Sequence, residues 1–206
     1  MLLLTLLSLF FCWMIISTIK SPTPFTQYDL FAVLLFLGLA LLCAKLPYER
    51  WSFSRFLTKN AIVIAENPNA TVHCNTAFDS IFDNGLRAGH ANPRTGEIVF
   101  QHSWCKTLKK HLADPKNPTE REIFSLHLFT HEAMHARGEY NEQKTDCQAI
   151  QRNYRAAMLL GVPADIAKEN AVHFYESIYP KYSYFSRKCV PESDWDEGLH
   201  DSTWNS

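Results

Sequence analysis

Two uncharged apolar stretches at the N-terminus restrict what this chain can fold into more than any other feature. Met1 to Ile19 has no charged residue and is rich in Leu, Phe and Ile, and Leu30 to Ala44 (LFAVLLFLGLALLCA) is equally free of charge. Crossing a bilayer takes roughly 17–25 apolar residues. The first stretch is long enough. The second becomes so if Leu46 extends it while Lys45 turns its ammonium toward the headgroups. A membrane hairpin is therefore expected over residues 1–47, with helices at about 1–19 and 30–46. Its loop, Lys20 to Asp29 (KSPTPFTQYD), holds two prolines that discourage one continuous helix. Two other readings stay open. The first stretch resembles a cleaved signal peptide in length, but it lacks a basic leader and a small-x-small cleavage site. The second has the length of a buried core helix, but it has no polar face to turn to water.

The rest of the chain has the composition of a water-soluble domain. A formal net charge of -1 gives no electrostatic reason to expect a nucleic-acid partner. About 145 residues are enough for one domain with its own core. Residues 48–60 read as a juxtamembrane linker, 61–180 as the domain and 181–206 as a tail without clear period. AIVIA (Ala61 to Ala65) reads as a strand and TVHC as another. Ala77, Phe78, Ile81 and Phe82 have helical spacing that ends at Gly85. A hairpin is expected with arms at Arg87 to Ala91 and Glu97 to Gln101 around the turn NPRTG. A helix from Ser103 to Leu112 follows.

Thr119 and Glu122 form a T-x-x-E capping box that opens the next helix, and Gly138 stops it. A return helix runs from about Asn141 to Leu160 and halts at Gly161, and a third runs from Pro163 to about Tyr179. The class is α+β, a small sheet followed by three long helices.

Charge and cysteine usage disagree about the side of the membrane. Lys45, Arg50, Arg55 and Lys59 follow the second stretch while the loop has only Lys20, which favours a cytoplasmic domain. Cys12 and Cys43 lie in the apolar stretches, leaving Cys74, Cys105, Cys147 and Cys189 for the domain. Four cysteines spread this way suit two disulfides and an oxidising compartment, with three pairings open, or else four reduced thiols. The balance leans to an extracytoplasmic domain.

The residues with the most chemistry lie between His131 and Asp146. In HEAMH, His131 and His135 are one helical turn apart, so two imidazoles can take adjacent corners of a zinc tetrahedron. Glu132 lies about 100° round the helix, badly placed as a ligand but well placed as a general base beside the metal. A third ligand is needed. Glu142 lies past the Gly138 stop, and a tight turn brings it back; Glu139, in the turn itself, is the rival. Asp146 is one turn beyond Glu142 and suits an acceptor for a ligating imidazole's second N–H. His127, one turn before His131, is too far from His135 for all three to share one metal, so it reads as a packed or supporting residue.

HEAMH followed by NEQKTD resembles the signature of the gluzincin metallopeptidases, over about 16 residues. The resemblance implies a zincin-like small sheet with an active-site helix and return helices. It also implies His131, His135 and Glu142 as zinc ligands, Glu132 as the base and Asp146 as the orienting carboxylate. The spacing here is much shorter than in the thermolysin-like members, consistent with a minimal core. The expected function is a membrane-anchored Zn2+-dependent metallopeptidase acting on a peptide or protein substrate, in contact with membrane lipid. Hydrolysis of a non-peptide amide and a binding module with a structural metal are the alternatives. His173, Tyr175 and Tyr154 are candidate donors to the developing oxyanion. The strand GEIVFQ is a candidate edge for an added peptide strand.

Overall fold

The protein is described by a computed structural model covering residues 2–82 and 88–204. Gly85 and Arg87, assigned above to a helix stop and a strand start, lie outside the described residues. The chain divides into two compact units, Met1–Phe53 and Ser54–Ser206.

The first unit contains α1 (Leu2–Ile19), none of whose residues is buried, and most of α2 (Gln27–Ile64). Both are long and apolar enough to cross a membrane. Thr26 caps α2, its N–H and hydroxyl donating to Asp29 Oδ2 at 2.8 and 2.6 Å. Between the helices, Ser8 Oγ donates to the Ala40 carbonyl at 3.1 Å and the Phe11 and Phe36 rings stack. The second helix is longer than expected. It runs through Pro47 and includes the stretch 48–60 read as a linker. Ala61 to Ala65, expected as a strand, is instead its C-terminal end. Leu57, Ala61 and Ile64 are buried at spacings of four and three, which continues a helical face from upstream. A short apolar β-branched run carries no such information by itself. Glu66, at φ 53, ends the helix.

The second unit has a three-stranded mixed sheet in the order β1-β3-β2, made of β1 (Thr71–Cys74), β2 (Gly89–Asn92) and β3 (Glu97–Phe100). β1 is parallel to β3, with Thr71 opposite Glu97; β2 is antiparallel to it, with Gly89 opposite Phe100. The expected NPRTG turn joins β2 to β3. Asn92 Oδ1 accepts from the Arg94 and Thr95 N–H groups, and Gly96 adopts φ +78. The free edge of β1 is covered by hydroxyls of α2. Thr58 Oγ1 accepts from Val72 N at 2.9 Å and Ser54 Oγ from Cys74 N at 3.3 Å. β3 is therefore the central strand with both edges paired, and GEIVFQ has no edge to offer a peptide. Among the described strands, β2 has a neighbour on one side only.

A one-turn helix, α3 (Asp79–Phe82), precedes β2. The long helices α4 (His102–Ala113), α5 (Glu120–Arg137), α6 (Glu142–Leu159) and α7 (Ala164–His173) follow the sheet. The Thr119–Glu122 capping box forms, and Gly138 ends α5 at φ 114, where its N–H meets the His135 and Met134 carbonyls. α5 packs against the sheet through Phe129, whose ring lies 6.2 Å from that of Phe100. It is buried on nearly all sides, which is unusual for a helix carrying Ser125, His127, Thr130, His131 and Glu132. Past α7 the chain makes a π turn (Phe174–Ile178) and a 3-10 turn (Tyr179–Lys181).

The tail is not a loose coil. Thr203 N and Oγ1 donate to the Gln151 and Ile150 carbonyls, Glu197 N to Gln151 Oε1, and the Arg152 guanidinium to Glu197. Two disulfides form. Cys74–Cys105 joins β1 to α4, and Cys147–Cys189 joins α6 to the tail.

Candidate metal centre

The centre is built where α5 turns back into α6. After Gly138, Glu139 shapes the turn. Its Oε1 accepts from the N–H groups of Tyr140 and Asn141, both at 3.0 Å, and its Oε2 pairs with Lys144 at 2.8 Å. Asn141 then caps α6 by accepting from Lys144 N. Glu139, the rival ligand in the sequence, is thus committed to the turn. Glu142 is the acidic side chain this turn delivers to the histidines.

Three atoms converge. His131 Nε2 and His135 Nε2 are 3.1 Å apart, and Glu142 Oε2 lies 3.2 Å from the first and 3.3 Å from the second. The other nitrogen of each ring fixes its tautomer. His131 Nδ1 is 2.9 Å from Asp146 Oδ1, and His135 Nδ1 is 2.8 Å from the Glu139 carbonyl, which can only accept. Both Nδ1 atoms therefore carry hydrogen, and both Nε2 atoms are turned toward the Glu142 carboxylate. Two imidazole nitrogens and a carboxylate oxygen converging on one point call for a metal cation or a proton between them. The triangle also has the right size: ligand bonds of about 2.0–2.1 Å in a tetrahedron give edges of about 3.3–3.4 Å. These residues fit a single metal ion, with an imidazole–imidazole–carboxylate set.

Burial pushes the His131 imidazole down, but its bonds to Asp146 and Glu142 outweigh this and raise it to about 9. Hydrogen bonding to His131 holds Glu142 below the usual carboxylate range. Burial pushes Asp146 up, and the histidines sharing its Oδ1 outweigh that and bring it to about 2. Glu132 goes the other way, raised chiefly by burial. It is 5% exposed, and its Oε2 has no partner among the described residues. Gly89 on β2 lies beside it: a Cβ there would be too close to the Val99 carbonyl, at 2.9 Å, and would touch Glu132 Oε1 at an ordinary 3.6 Å.

An open cleft of about 500 Å³ lies over the three donors. Its walls include Gly89, His90 and Ala91 of β2 on one side and Tyr182 and Tyr184 on the other. Tyr184 stacks on His131, with centroids 5.8 Å apart and planes at 13°. The Tyr182 hydroxyl is pushed up by burial and by nearby carboxylates. None of His173, Tyr175 and Tyr154, named above as oxyanion donors, lines the cleft. Tyr175 instead donates to the Cys189 carbonyl. The sequence gives no periodic signal at Tyr182 and Tyr184, because a disulfide-tied tail rather than a helix face places them. No family model matches the chain, and no curated protein or solved structure matches it either.

Proposed function

We propose that this protein is a membrane-anchored zinc metallopeptidase with a zincin-like arrangement of sheet, active-site helix and return helix. The observation that carries the reading is the convergence of two imidazole nitrogens and a carboxylate oxygen on a cleft that also holds the buried Glu132, whose Oε2 has no partner among the described residues. Zinc held by His131, His135 and Glu142 would polarise the scissile carbonyl and make water acidic near neutral pH. Glu132 takes one proton from the attacking water and delivers it to the leaving nitrogen, so the C–N bond breaks to an acid and an amine. Its raised proton affinity suits it to hold that proton in transit. Tyr182 and Tyr184 supply hydroxyls from the cleft wall to the oxygen on which charge develops. Among the described strands β2 pairs only with β3, and the backbone groups of Gly89 and Ala91 on its other side suit an extended peptide.

The test is digestion of a mixed peptide library by the full-length protein in detergent. Cleavage should vanish with a chelator and return with one equivalent of zinc. Zinc binding with no cleavage of any peptide would leave a non-peptide amide or a structural metal as the better reading.

Two disulfides in the second unit support an oxidising location, and we assign that unit to the extracytoplasmic side. A membrane-impermeant thiol reagent should label its cysteines in intact cells only after reductant. Labelling that requires cell lysis would place the unit inside.

A further inference from the structure

We infer that His127 is a positioning residue for the metal centre, setting the orientation of His131 through one shared oxygen of Asp146. The inference rests on the zinc-site reading but concerns a residue that reading does not use. His127 lies one turn before His131 on α5. Its Nε2 is 2.8 Å from Asp146 Oδ1, the atom that also meets His131 Nδ1 at 2.9 Å. Asn153 Nδ2, an obligate donor, stands 3.1 Å from His127 Nδ1. His127 Nδ1 must then accept, which puts the ring's hydrogen on Nε2, pointing at Asp146. The bonds form one directed chain: Asn153 to His127, His127 to Asp146, and His131 back to Asp146.

Asp146 needs this second donor. It is fully buried, and its Oδ2 has no partner among the described residues. A carboxylate held by His131 alone would be free to swing about that single bond, and the imidazole plane with it. Two N–H groups reaching Oδ1 from successive turns of α5 fix the oxygen from two directions. His127 is itself immobilised, stacked on Phe174 at 3.9 Å between centroids and edge-on to Phe124. Rigidity thus passes from the aromatic core to Asp146 and on to the ligating face of His131. Partners of ligating residues commonly govern metal affinity by about 10–100-fold. One competing role has to be separated. His127, His131 and Asp146 also lie close enough to hold an ion directly, with His127 as a ligand.

The experiment measures zinc affinity by competition with a chromophoric chelator, and zinc per chain by elemental analysis, on the full-length protein in detergent. His127→Phe keeps the stack on Phe174 and loses the donor; His127→Gln keeps an amide N–H near the position of Nε2. Expected are one zinc per wild-type chain, a loss of about 10-fold in affinity for His127→Phe, the low end for supporting groups because it acts through Asp146, and recovery of most of it by His127→Gln. Combining His127→Phe with Asp146→Asn should cost less than the product of the two single losses. A folded His127→Phe protein with wild-type affinity overturns the inference, as does equal loss in the Phe and Gln variants, which would mean packing alone. Two zinc ions per wild-type chain, one of them lost in His127→Phe, would make His127 a ligand instead. If His127→Phe does not fold, Asn153→Ala decides: weakened zinc binding supports the chain of bonds and unchanged binding overturns it. A wild-type protein that binds no zinc overturns the zinc reading itself and this inference with it.

Discussion

Glu132→Gln is expected to keep its zinc and to lose peptide hydrolysis by about 10²- to 10⁴-fold, the usual range for a positioned proton-transfer group. The substitution is nearly isosteric. It removes the proton acceptor but leaves the triangle of His131, His135 and Glu142 untouched, because Glu132 bonds to none of them. Folding should not suffer. Glu132 Oε2 is buried without a partner among the described residues, so at that oxygen there is no bond for the amide to lose. A buried charge is an expense to stability, and burial already raises this group's proton affinity. An amide there should be neutral or mildly stabilising, the pattern expected of a group retained for chemistry. The paired measurement is zinc content and initial rate on the best peptide from the library. Full zinc with an undiminished rate would remove Glu132 from the mechanism and, with it, the case for an enzyme.

The sequence carries the parts of this site that follow from one helix and the turn after it. Thr119, Glu122 and Gly138 mark where α5 begins and ends, and the four-residue spacing of His131 and His135 fixes their common face. Glu142 and Asp146 follow from the same logic once the turn is granted. The signal fails where tertiary packing decides. Ala61 to Ala65 became helix because upstream residues extended the buried face of α2. β3 lost its proposed edge because β1 pairs with it on one side and β2 on the other. Tyr182 and Tyr184 reach the cleft because Cys189, Glu197 and Thr203 lace the tail onto α6. Residue types in a local window encode none of those long-range ties. The pairing of the cysteines belongs to the same class, since only proximity in the fold selects one of three.

The sharpest comparison for the metal set is Glu142→Ala beside Glu139→Ala. Both remove a carboxylate from one short turn, three residues apart, yet the geometry gives them separate tasks. Glu142 supplies one of the three acceptors, so its loss should weaken zinc by more than about 100-fold, beyond the usual effect of an outer partner. Glu139 acts on the centre through its backbone carbonyl, which accepts from His135 Nδ1 and survives truncation to alanine. What Glu139→Ala loses is the clasp on the Tyr140 and Asn141 N–H groups and the pair with Lys144. That loosens the turn, and a shift in zinc affinity of no more than about 10-fold is expected, at the low end for supporting groups. Zinc loss should also depend on pH in the wild type, because protons and metal compete for the same nitrogens. Chelator titration of both variants at one pH decides the assignment: if Glu139→Ala releases the metal and Glu142→Ala retains it, the third ligand has been misplaced, and the turn rather than α6 completes the site.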